Sequence, residues 1–297
     1  MELRWIEAFL AVAEELHFGR AAERLHMAQS PLSQVIRKLE RDLGSPLFDR
    51  STRVVELSPA GHAFLPHARR VLEELDLARR ATTAGQAQVY GNVTIGFSGA
   101  LNHLTLPPLT RTVRRRHPHV ALSLVGRTTT YDALVRLQAG LLDLAFVGLP
   151  ITADGITSRV ISVEPLGVVV PSDHPLADGG PVELGRFADD DFVSMPAAPG
   201  SILRETMVAA ALESGFRPRV VQEVSDPYVV LSFVAAGVGV SVAPASLRSI
   251  LPAGCVFLPI AGAAPTLSAG LAWRVDDRSP ALRAVLSVAD EVLRSPE

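Results

Sequence analysis

Gln29, Ser30, Ser33 and Gln34, followed at once by Arg37 and Lys38, gather amides, hydroxyls and cations into the short stretch QSPLSQVIRK. Amides and hydroxyls both donate and accept, which suits the edges of base pairs, whereas guanidinium and ammonium groups suit phosphates. The apolar residues Leu32, Ile36, Leu39 and Leu43 recur at helical spacing, so the polar set shares one face of a helix. The major groove of DNA admits one such helix, read by the residues near its N-terminus. On periodicity alone, an ordinary helical hairpin with a solvated face fits equally well.

A second group of residues raises enzymatic chemistry. GFSGA at 96–100 approaches the G-x-S-x-G turn of serine hydrolases, with Ser98 as the nucleophile. Its last glycine is Ala100, and the histidines downstream (His103, His117, His119 and His174) stand in no recognisable triad context, so no enzyme is expected. GVGV within AAGVGVSVAP is too short for a dinucleotide fingerprint, no His, Cys, Asp and Glu cluster has metal-ligand spacing, and Cys255 lies in an apolar run. No cofactor or metal is expected.

Three strand-to-helix junctions suit a small ligand better. Ser98, Gly99 and Ala100 follow the strand VTIGFS; Thr128, Thr129 and Thr130 precede a helix near Tyr131; Pro199, Gly200, Ser201 and Ile202 precede another. Ligands of α/β sheets gather beyond such strand ends, where free N–H groups and positive helix termini favour an anion such as a carboxylate. Phe146, in LAFVGL, is counted with them. Thr130 and Ser225 read as helix caps.

The elements that must hold these groups follow from the pattern around them. Leu3, Ile6, Phe9, Leu10, Ala13 and Leu16 predict a first helix with one buried stripe; Arg20 to Leu25 predict a short second helix; Ser30 and Pro31 supply a start signal for the third, and Gly44 its end. Ser58 and Pro59 open a helix to about Ala84, in which Phe64, Ala68, Val71, Leu75 and Ala78 are spaced 4, 3, 4 and 3 apart, as in a coiled-coil seam. A helix laid on its own domain is the alternative. Pro66 is expected to bend its first turns, and Gly85 to Gly91 to form a hinge. Beyond Asn92, strand-like and helical runs alternate, indicating parallel βαβ units.

Totals set the frame. The 297 residues allow two or three compact units, and the net charge of -3 gives no global basic signature. Lys38 is the only lysine, so DNA binding must be argued from geometry. A single cysteine, no apolar run of membrane-spanning length and no signal-like start lead to the expectation of a cytoplasmic protein.

FLAVAEELHFGRAAERLHMAQSPLSQVIRKLERDLGSPLFDR, followed by RVVELSPAG, resembles the N-terminal domain of LysR-type transcriptional regulators from Met1 to about Leu65. HFGRAAERLH is most similar to the branch controlling catabolism of aromatic compounds. The resemblance implies an α/β multidomain fold: a winged helix-turn-helix over 1–58, a dimerising linker helix over 59–88, and an effector domain over 89–297 of type 2 periplasmic-binding-protein architecture. Lobe I would span about 92–162 and 269–297, lobe II about 163–268, with crossovers near Val163 and Ser268. It implies base reading by Gln29 and Ser33, wing contacts by Arg50 and Arg53, and effector contacts by Ser98, Thr128, Ser201 and Ile202. Many members carry arginine where this chain has Gln34; arginine favours guanine whereas glutamine can pair with adenine, so the family's base preference does not carry over at this position. The implied partners are double-stranded DNA with an interrupted palindrome, a small aromatic or unsaturated acid, further copies of the chain as a homodimer or homotetramer, and RNA polymerase. The rivals are a solute-binding protein of the same architecture and a DNA-binding protein without effector response.

Overall fold

The computed structural model describes residues 1–50, 55–83, 88–178, 180–197 and 201–293. The chain divides into two compact units, Met1–Gln88 and Val89–Glu297.

In the first unit, α1 (Leu3–Glu15), α2 (Phe18–Arg24) and α3 (Gln29–Leu43) precede a hairpin of β1 (Phe48–Arg50) and β2 (Val55–Leu57), followed by α4 (Pro59–Thr83). The buried face of α1 is wider than a single stripe: Ile6, Ala8, Phe9, Leu10, Ala11 and Val12 are buried, because α2, α3 and α4 all pack against it. Leu3 and Leu16 are exposed; Leu16 adopts a left-handed conformation that ends the helix, so it cannot continue the stripe. α2 begins at Phe18, earlier than the expected Arg20, because His17 Nδ1 accepts the Gly19 and Arg20 N–H groups. Gly19 therefore lies inside the helix, where a Cβ would meet the His17 ring at 2.9 Å. α3 also starts early, with Ala28 at its N-cap and no capping side chain, which leaves Ser30 in the first turn instead of capping it. Gly44, at φ 72°, ends it.

Ser58 caps α4: its hydroxyl accepts from Gly61 N–H at 3.0 Å and donates to Pro46 O at 2.6 Å. The helix continues through Pro66 to Thr83. Phe9 lies 5.4 Å from Phe48 and 5.0 Å from Phe64, ring centre to ring centre, so α4 closes the core of its own unit. The seam consequently divides. Phe64 and Ala68 pack inward, while Val71 is 39% exposed, Leu75 half-buried and Ala78 exposed. Residues 84–87, which include the first three of the expected hinge, lie outside the described residues.

The second unit runs β3 (Gly91–Gly96), a short 3-10 turn (Gly99–Asn102), α5 (Leu106–Arg116), β4 (Val120–Val125), α6 (Thr130–Gln138), β5 (Leu144–Leu149) and the long β6 (Ile156–Pro171). Then come β7 (Asp191–Ser194), α7 (Ile202–Glu213), β8 (Arg219–Glu223), α8 (Pro227–Ala235), β9 (Ser241–Pro244), a 3-10 turn (Ala245–Ile250), β10 (Cys255–Pro259), β11 (Thr266–Arg274) and α9 (Pro280–Val292). β3 pairs in parallel with β4 and β5, and β7 with β8. The expectation of parallel units holds only for these strands: β6 and β11 pair antiparallel, as do β6 and β9 or β10, giving a mixed sheet.

β6 is the spine of this unit. Its first part, Ile156–Pro165, pairs with β11; its second part, Leu166–Pro171, pairs with β9 and β10. One apolar core draws on residues from Val93 to Ile161 and from Leu271 to Leu293, and two others on residues between Leu166 and Leu258. The chain thus forms two lobes joined where β6 and β11 pass between them, and Val163 and Ser268 are register partners at that passage.

Candidate functional site

The third helix carries the first candidate surface. Leu32, Ile36 and Leu39 are buried against α1 and α2, which holds the opposite face outward: Gln29, Ser30, Gln34, Arg37 and Lys38 are exposed, and Ser33 is half-buried. Gln34, Arg37 and Lys38 line an open groove with Arg41, whose Nε donates to Arg37 O at 3.3 Å. Arg41 was not among the sequence candidates, although it lies one turn beyond Arg37 on the same face. Two other cations of the unit are engaged internally, Arg24 with Glu14 at 2.7 Å and Arg20 with Glu15 at 3.3 Å. Arg50 stands on β1 opposite Val55, its side chain outside the described residues, as is Arg53 altogether.

The second candidate is a cavity at the lobe boundary, with about 80 Å³ open to the centre of a water-sized sphere. That is several times the roughly 10–15 Å³ one water needs. Of the sequence candidates, Ser98, Thr128, Phe146, Ser201 and Ile202 line it. Gly99 and Ala100 do not: they turn away in the short 3-10 helix, where Ala100 packs on the core of the second lobe. Pro199 lies outside the described residues.

Each polar group has a definite role. Ser98 N–H donates to Asn102 Oδ1 at 2.8 Å, while its hydroxyl has no hydrogen-bond partner among the described residues. Thr128, buried at 1% exposure, donates its hydroxyl to Val125 O at 2.9 Å and can only accept from a ligand. It fits because Gly96 has no Cβ, which would stand 3.1 Å from the Thr128 methyl and 2.6 Å from Leu142. Thr130 is not the cap of α6. Thr129 is, accepting Asp132 N–H at 3.2 Å, whereas Thr130 Oγ1 accepts Gly148 N–H at 2.9 Å inside the cavity wall. Likewise Asp226, not Ser225, caps α8, because a carboxylate oxygen reaches both Tyr228 and Val229 N–H. Ser201 caps α7 through Arg204 N–H at 3.3 Å. The first residue of α7, Ile202, reaches the cavity opposite Gly148 of the other lobe.

Sequence reading missed Asn102, Gly148 and Glu164 as lining residues. Glu164 alone had a visible signal, an acid next to an expected crossover in an otherwise apolar run. A hydrolase at Ser98 finds no base in His103, whose ring nitrogens bond Ala100 O at 2.7 Å and Ser249 Oγ at 3.0 Å. Among the described residues, no group of His, Cys, Asp and Glu could hold a metal ion, and burial raises the pKa of the Cys255 thiol, away from the reactive thiolate.

A helix-turn-helix with a bared polar face, in one chain with a two-lobed α/β unit enclosing a cavity, defines a DNA-binding protein with a ligand-binding domain. Residues 3–62 match the family model for the bacterial regulatory helix-turn-helix protein, lysR family, and residues 86–294 that for the LysR substrate binding domain. The chain is 47% identical to the HTH-type transcriptional regulator ShiR of Corynebacterium glutamicum (strain R), over 99% of this chain and 100% of that one. It is 34% identical to the Hca operon transcriptional activator HcaR of Escherichia coli (strain K12), over 99% of each. Among solved structures, full-length CbnR in complex with its target DNA superposes with a TM-score of 0.78 at 27% identity, covering 98% of this chain and 100% of that one. The chain belongs to the LysR family of DNA-binding transcriptional regulators, with an effector-binding domain.

Proposed function

We propose that this regulator holds a small carboxylate-bearing effector in the cavity between its lobes, and that the bound acid changes its grip on an operator. The observation carrying this reading is the convergence on one cavity of hydroxyls from both lobes, Ser98 and Thr130 from one and Ser201 from the other, with the N-terminus of α7. Anions are stabilised at helix N-termini and by such donors. Ser98, Thr128, Phe146, Ser201 and Ile202 are the effector contacts in this reading.

In the same reading, residues 1–58 form the reader, 59–88 the dimerising helix and 89–297 the effector domain. Gln29, Ser30, Ser33 and Gln34 contact bases, and Arg37, Lys38, Arg50 and Arg53 the backbone. Val71, Leu75 and Ala78 supply the outward part of the dimer seam. Two readers related by a two-fold axis call for an interrupted palindrome with half-sites on one face of the duplex. A tetramer would bend DNA between sites, and lobe closure would relax that bend near RNA polymerase in the cytoplasm. A ligand achieves this only through differential affinity for the two arrangements.

The test is fluorescence anisotropy of the full-length protein on the intergenic DNA upstream of its own gene, at fixed salt, with scrambled competitor and a panel of small carboxylic acids. Salt is fixed because phosphate contacts alone imitate affinity. Specific binding altered by an acid, with the alteration lost in Ser98→Ala at unchanged operator affinity, is the expected outcome. Specific binding that no acid alters contradicts the effector assignment.

A further inference from the structure

Glu164 is the only cavity-lining residue, among the described residues, whose side chain carries a formal charge. It stands on β6 directly opposite Leu267 of β11, itself a lining residue, at the passage between lobes. Its Oε2 accepts Ser246 N–H at 3.0 Å from the 3-10 turn of the second lobe. A carboxylate offers about four acceptor sites, and the remainder have no donor among the described residues. Thr128, its hydrogen given to Val125 O, can likewise only accept, but three other hydroxyls of the wall lean the opposite way. Thr130 Oγ1 and Ser201 Oγ already accept from Gly148 and Arg204 N–H, which leaves their hydroxyl hydrogens to give, and the Ser98 hydroxyl is uncommitted. The cavity therefore joins a donor-rich part, suited to an anion, to one fixed carboxylate with most of its acceptor sites open, which repels an anion.

We infer that Glu164 is a specificity-determining residue: it selects acids that carry a hydrogen-bond donor, a hydroxyl or an amino group, away from the carboxylate, and it rejects dicarboxylates. This rests on the reading of the cavity as an organic-acid site. An acid without a donor leaves the Glu164 oxygen stripped of water and unpaired, and a second carboxylate adds like-charge repulsion; both costs fall on binding. The position is set by two paired strands and the Ser246 N–H, so the carboxylate has little freedom to withdraw.

Isothermal titration of the full-length protein compares benzoate, its 3- and 4-hydroxy and 3- and 4-amino derivatives, and benzene-1,3-dicarboxylate, in wild type and Glu164→Gln. Glutamine keeps an oxygen for Ser246 N–H and offers an N–H pair to the cavity, and an unchanged melting temperature verifies that the lobes remain packed. The wild type is expected to bind at least one hydroxy or amino acid on the order of 10-fold more tightly than benzoate, and the dicarboxylate weakest. In Glu164→Gln this preference collapses and the dicarboxylate gains. Binding of the acids with the same ranking in both proteins overturns the role of Glu164 while leaving the acid site standing. Failure of every acid to bind either protein overturns both.

Discussion

A Cβ on Gly148 would fall 2.8 Å from Cβ and Cγ1 of Ile202, so the bare backbone of β5 in one lobe is what lets the first residue of α7 in the other lobe close against it. Gly148 N–H meanwhile donates to Thr130 Oγ1, tying the same point to the start of α6. Both residues line the cavity, so this contact is part of its wall. Gly148→Ala is expected to hold the lobes apart, at roughly 1–3 kcal/mol of overpacking, and to weaken acid binding while operator affinity stays near wild type. Adding Ile202→Ala should restore part of the binding; titration of both variants with one acid decides it, and an unaffected Gly148→Ala would refute the contact's role.

Base preference should turn on Gln34, which is exposed near the start of α3. Gln34→Arg is expected to move preference at one operator position from adenine towards guanine, by about 1–3 kcal/mol for a bidentate pair. Arg37→Ala, by contrast, should weaken binding to all sequences alike and lower the salt slope by about 1. Operator variants titrated at several salt concentrations separate the two; a sequence-dependent loss in Arg37→Ala would contradict its placement on phosphate.

The divided seam of α4 makes a paired prediction. Phe64 faces Phe9 inside the unit, whereas Val71 is exposed. Phe64→Ala is expected to cost roughly 3 kcal/mol of folding stability with little change in self-association. Val71→Asp should do the reverse, measured by sedimentation velocity and denaturant melts. Equal oligomer stability in Val71→Asp and wild type would remove α4 from the dimer.

Arg274 clamps the first lobe. Its Nη1 donates to Leu137 O and Leu142 O, both at 3.0 Å, and its Nη2 to Asp277 Oδ2 at 2.6 Å. Arg274→Ala leaves two carbonyls and a carboxylate without this partner, so a loss of about 2–4 kcal/mol is expected in urea unfolding. A loss below about 0.5 kcal/mol would show that water replaces the guanidinium at no cost.

Much of the first unit was legible because helical periodicity and the Ser58–Pro59 start are local signals. Errors there were of ends and faces. α2 begins at Phe18 because a histidine, not a usual cap, accepts the first amides, and α1 buries a face wider than one stripe because three helices pack against it. The spacing of Phe64, Ala68, Val71, Leu75 and Ala78 is that of one seam, yet only packing shows that its first two positions are taken by the core.

By itself the sequence determined the order of most of the elements, the polar face of α3, and the two strand ends bearing Ser98 and Thr128, whereas the crossovers near Val163 and Ser268 came only with the family resemblance. The features read directly depend on side chains a few residues apart or on the alternation of apolar runs. The tertiary structure alone decided that β6 and β11 pair antiparallel, that Thr129 caps while Thr130 faces the cavity, and that Glu164 joins Ser98 and Ser201 around one space. The physical reason is range: Ser98, Glu164 and Ser201 are far apart along the chain, and only the docking of two lobes across a shared pair of strands brings them together.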